Sequence, residues 1–320
     1  MAAPLIKAYT VFLTNNCFSD VQGLGPYRTH GQRIQENYDP KGKKSVATVH
    51  DMIARCQKQG FTHVVFATLD GLKYQSHPEI AVENAWSREE LKKELDYAKS
   101  LGLKTVPMLN FSAAHDTWMG EMAKKLSTPA YRDFCRDLID ELCQLFEGPE
   151  LFHLGLDSES AQEQADYLHQ VVRGDALWQA DLAHLLACCR KNNARPWMFA
   201  DRYRTGAQAF LQAVDKNVLL CTTAVVIPAK VLQEDYTYFF QLSQEGYEYT
   251  ILSSCHLNIA VAEHAISQHL NNADTAKLAG FVSYSALPCV EDYRFKLIYE
   301  LEETAYQIQS QYENAKEAQQ

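Results

Sequence analysis

The 320 residues are 47% hydrophobic, enough to bury a large core, and carry a formal net charge of −10. That charge argues against nucleic acid or an anionic membrane as the main partner. No apolar run reaches the roughly 20 residues needed to span a bilayer, and residues 1–5 lack the basic-then-apolar pattern of a secretion signal. A cytoplasmic location is expected. The nine cysteines follow no CxxC spacing and several sit in apolar segments, as buried thiols in a reducing compartment would.

In chain order, eight short apolar runs read as strands: 6–13, 63–67, 104–109, 151–156, 197–200, 218–221, 249–252 and 278–282. Each is nearly continuous in apolar residues, the pattern of a strand buried on both faces. Turn residues introduce several of them: Gly60, Gly102, Gly148-Pro149, Pro196 and Gly246. Helical patterns lie between. Ser87-Arg88-Glu89-Glu90 is a capping box, after which Leu91, Leu95, Ala98 and Leu101 mark one face. Thr128-Pro129 sets an N-cap before a proline in the first turn, and Phe134, Leu138, Leu142 and Leu145 continue as a stripe. Segments 180–189, 260–270 and 292–309 behave similarly, with a frayed tail over 311–320.

Strand and helix alternating eight times predict an α/β fold, a (β/α)8 TIM barrel with right-handed crossovers. No linker or low-complexity stretch interrupts the chain, so residues 1–320 read as a single catalytic domain. A doubly wound open sheet is disfavoured because no GxGxxG follows the first strand. Two long connections, 14–44 and 69–86, fall on the face where barrels do their chemistry.

Polar residues just after each strand would share that face. Strand two offers Asp70 and His77; strand three Asn110, His115, Asp116 and Trp118; strand four Asp157 and Glu159; strand five Asp201; strand eight Tyr284. Carboxylates, imidazoles, amides and an indole suit a polyhydroxylated ligand, bonding its hydroxyls and stacking on the C–H face of a sugar. Glycoside chemistry also needs a carboxyl pair, one kept protonated and one ionised. Asp157 and Glu159 are the expected pair; the others are expected substrate contacts. If the segment stays extended the two carboxyls share a face, and if a helix begins at Ser158 they diverge. No cofactor is expected.

The stretch His153-Leu154-Gly155-Leu156-Asp157-Ser158-Glu159 resembles the His-x-Gly-Gly-Asp-Glu signature of hexosaminidase-like (family 20-like) glycoside hydrolases. Segments 107–115 and 195–201 are similar to strands three and five of such enzymes. The resemblance implies a (β/α)8 barrel acting on an N-acetylhexosaminide. It gives Asp157 the task of orienting the 2-acetamido group, whose oxygen attacks the sugar carbon, and makes His115 a pocket histidine. Ser158 stands where the family has its acid, and Glu159 is the nearest glutamate. The late tryptophans that line the family's sugar site are absent, since no Trp follows Trp197.

Two other functions stay open. A metal-dependent sugar isomerase or amidohydrolase-type barrel could draw ligands from His115, Asp116, Asp157, Asp201 and His256, although no HxH pair follows strand one. A non-catalytic barrel binding a glycan is favoured by Ser158 and the missing tryptophans. The exposed barrel helices leave room for a homodimer.

Overall fold

A computed structural model describes residues 5–18, 43–165, 167, 170–222, 237–254 and 275–313. Eight parallel strands close into a barrel in sequence order: β1 (Ile6–Phe12), β2 (His63–Ala67), β3 (Lys104–Met108), β4 (Leu151–His153), β5 (Arg195–Phe199), β6 (Leu219–Thr222), β7 (Tyr249–Ser254) and β8 (Leu278–Ser283). The ring shuts where Ile6 pairs with Gly280. Only glycine fits there, because a Cβ on Gly280 would lie 1.9 Å from the Ile6 carbonyl oxygen.

The strands form because both faces are covered. All five residues of β2 are buried. Across the barrel interior, the Trp197 indole on β5 donates to Thr250 Oγ1 on β7 at 3.1 Å, skipping β6. Outside run the helices α1 (Lys43–Lys58), α2 (Arg88–Ser100), α3 (Pro129–Leu145), α4 (Asp175–Lys191), α5 (Arg202–Ala213), α6 (Thr237–Gln244) and α7 (Arg294–Gln307). The capping box at Ser87 and Glu90 is formed, and Thr128 caps α3. All eight described cysteines are buried free thiols. No helix among the described residues is long and apolar enough to cross a membrane. The expected helix at 260–270, His256 and most of the 14–44 connection lie outside the described residues.

Strand four departs from expectation. It was expected over 151–156 but its regular ladder stops at His153, because Gly155, Leu156 and Ser158 all adopt positive φ, at 67°, 68° and 53°. Among the described residues no helix follows until Asp175. The backbone still bonds its neighbours, through Phe111 N–H to the Leu154 carbonyl and Phe199 N–H to the Gly155 carbonyl. A long irregular connection on the chemical face is the result.

Candidate functional site

The site starts from a steric fact. A Cβ on Gly155 would lie 2.2 Å from Asn110 Oδ1 and 2.7 Å from Asn110 Cα. Glycine therefore lets the end of β3 press against the end of β4. Asn110 uses that closeness: its Oδ1 accepts from Ser112 N–H (3.1 Å) and Leu156 N–H (3.2 Å), and its Nδ2 donates to Asp157 Oδ1 at 2.8 Å. The Ser112 hydroxyl donates to the Asp157 carbonyl at 2.6 Å. The second carboxylate oxygen of Asp157 lies 3.6 Å from His115 Nε2. Asp157 is thus fixed from two sides at the mouth of the barrel, with its side chain 11% exposed.

Aromatic rings wall this carboxylate. His115 packs edge-on to Phe18 at 4.9 Å and lies 5.5 Å from Tyr167. Tyr284 meets Phe12 at 4.9 Å and Phe199 at 5.5 Å, both edge to face. Burial raises the Tyr284 phenol well above its usual pKa, and the Asp157 charge adds to the rise. Burial also raises the Cys17 thiol, with Asp157 and Asp70 contributing. Below the mouth, His153 packs against Trp197 (4.9 Å, tilted) and edge-on to Phe199 (5.0 Å) and is driven down to about 3 by desolvation, so it is a neutral core histidine.

Asp201 reaches the same place from β5. It is buried, and its Oδ2 accepts from Ser158 N–H at 3.1 Å. The Ser158 hydroxyl bonds the Tyr167 hydroxyl at 2.8 Å. Asn110, His115, Asp157, Asp201 and Tyr284 therefore converge as the barrel topology demands.

Five other expected residues take other places. Glu159 is not paired with Asp157. The positive φ at Ser158 turns the chain, and the Glu159 side chain is fully buried, with Oε1 accepting from Arg173 Nη2 at 2.5 Å and from Ala113 N–H at 3.2 Å. Asp70 is a brace, holding the Thr14 hydroxyl at 2.5 Å and the Asn16 amide at 2.7 Å. His77 lies away from the mouth against α3, bonded to Glu79 and 4.6 Å from the Phe134 ring. The cause is Glu141 on α3, whose carboxylate accepts from Gln75 N–H, Ser76 N–H and the Ser76 hydroxyl. Trp118 is a plug, its indole donating to the Asn110 carbonyl at 2.8 Å. Asp116 heads the 3-10 turn Thr117–Lys125 and is only partly buried.

Sequence reading missed Glu163. Its side chain is 8% exposed, and Oε2 accepts from the Ser160 N–H and hydroxyl while Glu163 N–H donates back to Ser160 Oγ. Burial, reinforced by the Asp201 charge, pushes its carboxyl up to about 8 against the opposing pull of Arg204. The pattern Ser160-x-x-Glu163 was the available signal, a capping-box spacing.

No three His, Cys, Asp or Glu side chains among the described residues converge as a metal-ligand set. A cleft of about 240 Å3 lined by His63, Lys104, Glu147 and Glu150 lies at the opposite end, away from the face where barrels do their chemistry.

No family model matches the chain, and no curated protein matches its sequence. Solved structures do match. A chitobiase from Flavobacterium johnsoniae superposes at a TM-score of 0.59, with 14% identity over 83% of this chain and 46% of that one. A Streptomyces plicatus β-hexosaminidase bound to its product GlcNAc gives 0.64, with 11% identity over 93% and 62%. Dispersin B gives 0.59, with 12% identity over 83% and 96%. The chain spans about half to two thirds of the first two enzymes. At such identities the likeness is one of fold: the chain is a (β/α)8 barrel similar in architecture to the barrels of these enzymes.

Proposed function

We propose that the protein is a glycoside hydrolase acting on an N-acetylhexosaminide. One observation carries the reading: the Asp157 carboxylate is held at the barrel mouth by Asn110 Nδ2 at 2.8 Å, with His115 Nε2 beyond its other oxygen at 3.6 Å. A carboxylate fixed this way keeps one orientation as the ligand arrives, which preorganised catalysis needs. It accepts the N–H of a 2-acetamido group and aims the acetamido oxygen at the anomeric carbon. That oxygen then displaces the leaving group, and water opens the cyclic intermediate. Tyr284, Phe18 and Tyr167 supply the apolar and hydroxylated walls that a sugar ring needs. The hexosaminidase activities named for the structural neighbours support the same substrate class.

The test is hydrolysis of aryl glycosides with and without a 2-acetamido group, by wild type and Asp157→Asn. Release from the acetamido sugars alone, cut at least about 100-fold in the variant, is expected. Release from plain glycosides alone overturns the acetamido mechanism.

A second reading, a barrel that holds a glycan without cleaving it, is favoured by the fates of Ser158 and Glu159: one has no carboxyl and the other is bound to Arg173. Calorimetric binding of GlcNAc with no turnover of any glycoside would select it.

A further inference from the structure

Cleavage of a glycosidic bond needs a proton for the leaving oxygen; Ser158 has no carboxyl, and Glu159 is turned away from Asp157 against Arg173. We infer that Glu163 is the general acid, displaced along the connection after β4 from the position Ser158 occupies. The inference rests on the hydrolase reading above and adds to it the residue that completes the reaction.

Three geometric facts carry it. First, the Glu163 side chain is 8% exposed, and its Oε1 makes no hydrogen bond among the described residues; the nearest cation, Arg204 Nη1, stands 3.7 Å away. A buried carboxyl oxygen with no donor can seat a proton; Glu159 Oε2 also makes no hydrogen bond among the described residues, but its carboxylate meets Arg173 at 2.5 Å, whereas the Arg204 guanidinium stands beyond hydrogen-bond distance of Glu163. Second, the other oxygen is pinned by Ser160, so the head group has a fixed direction. Third, Glu163 belongs to the cluster at the mouth. Its neighbour Arg204 donates its backbone N–H to the Asp201 carbonyl at 3.0 Å, and the Tyr167 ring, four residues along from Glu163, lies 5.5 Å from His115. That ring's hydroxyl is bonded to Ser158, the residue at the vacated acid position.

The groups facing Glu163 set its proton. Asp201, from the end of β5, favours the protonated form; Arg204 on α5 and the Ser160 hydroxyl and N–H, which donate to the carboxylate, oppose it. Desolvation is the largest cause and keeps the carboxyl protonated to about pH 8. Asp201 Oδ2 accepts from Ser158 N–H at 3.1 Å, which keeps that carboxyl beside the vacated acid position.

The step balances. The acetamido oxygen forms a bond to the anomeric carbon as the bond from that carbon to the leaving oxygen breaks. The Glu163 proton moves to the leaving oxygen, which departs as an alcohol. Water then adds to the anomeric carbon as the bond from that carbon to the acetamido oxygen breaks, and gives a proton to the Glu163 carboxylate, which restores both the amide and the acid.

The experiment compares two N-acetylhexosaminides, a dinitrophenyl glycoside that leaves without protonation and a disaccharide that needs it. Glu163→Gln should lose roughly 100- to 10,000-fold in kcat on the disaccharide and little on the dinitrophenyl glycoside. The basic limb of its kcat/KM profile, near pH 8 in wild type, should vanish. Glu163→Asp should recover part of the disaccharide rate. Asp201→Asn, which keeps Glu163, should shift the basic limb to lower pH, and it serves if Glu163→Gln fails to fold. Equal loss on both substrates, or no loss on either, overturns Glu163 as the acid while leaving the hydrolase reading intact. A wild type silent on both overturns the hydrolase reading and the acid with it.

Discussion

Replacing Glu159 separates a buried structural ion from an acid. Its carboxylate is fully buried and shares Arg173 with Asp181, the guanidinium reaching Glu159 Oε1 at 2.5 Å and Asp181 Oδ2 at 3.3 Å. Asp181 in turn holds Arg132 at 3.0 Å. Two cations and two anions balance, so removing one charge leaves Arg173 dependent on a carboxylate that Arg132 already uses. Breaking such a buried pair from one side costs about 3–5 kcal/mol, and Glu159→Ala should fall there. Glu159→Gln keeps the volume and an acceptor for Ala113 N–H, so it loses only the charge-assisted part, about 1.5–3 kcal/mol. Glu159→Leu with Arg173→Met should recover most of the loss, because a buried pair is often replaceable by apolar groups of like volume. The assay is urea unfolding at pH 7 for both singles and the double, with turnover measured per folded molecule. A positive coupling of about 2 kcal/mol and near-normal turnover in Glu159→Gln are expected. A Glu159→Gln protein as stable as wild type but without turnover would refute the argument and return Glu159 to the chemistry.

Two further perturbations probe the frame. Gly155→Ala meets a φ of +67° and a Cβ 2.7 Å from Asn110 Cα, so about 1–2 kcal/mol of backbone strain adds to about 1–3 kcal/mol of overpacking; thermal melting should show the loss, with turnover falling as Asn110 moves Asp157, and a wild-type melt would sink the close-approach account. Glu300 on α7 is raised to about 7 by burial, so the fold carries no penalty below about pH 4.5 and an increasing one as pH climbs to 7; Glu300→Gln should therefore gain on wild type by up to about 3 kcal/mol between pH 4.5 and 8, and parallel stability curves would contradict it.

The barrel was legible because its cause is local. A strand covered on both faces must be apolar throughout, and β2 and the starts of β1, β3, β4, β7 and β8 fall where the apolar runs begin. Turn residues marked the boundaries for the same reason. The mouth was legible only in part. Asn110, His115, Asp157, Asp201 and Tyr284 follow from being next after a strand, which topology alone brings together. Glu159 was misplaced because its direction depends on a positive φ at Ser158, a conformation that no propensity of serine announces. His77 was misplaced because Glu141, 64 positions away on α3, captures the backbone just before it. The surroundings of Glu163 are set by Asp201 and Arg204 of another strand and helix, so its capping-box spacing showed a turn and not a proton.

Arg202 explains how a connection without regular structure can hold a site. The guanidinium of Arg202 donates to the Glu159 carbonyl at 2.8 Å, to the Arg173 carbonyl at 3.2 Å and to Asp175 at 2.6 Å. Backbone carbonyls in an irregular buried segment have no ladder partners and must be satisfied some other way. One guanidinium at the start of α5 satisfies two of them and ties both ends of the 159–173 stretch to the same point. The Gln164 side chain closes the loop inside, donating to the Ser158 and Val171 carbonyls and accepting from Val171 N–H. With its ends pinned by Arg202 and its middle by Gln164, the segment carries three carboxyls into three environments: Asp157 at the open mouth, Glu159 against a cation, and Glu163 in a dehydrated corner beside Asp201. Side-chain type is nearly the same at all three. What differs is the water and charge around each, which suit Asp157 to the proposed orienting role, Glu159 to bracing the fold and Glu163 to the proposed acid.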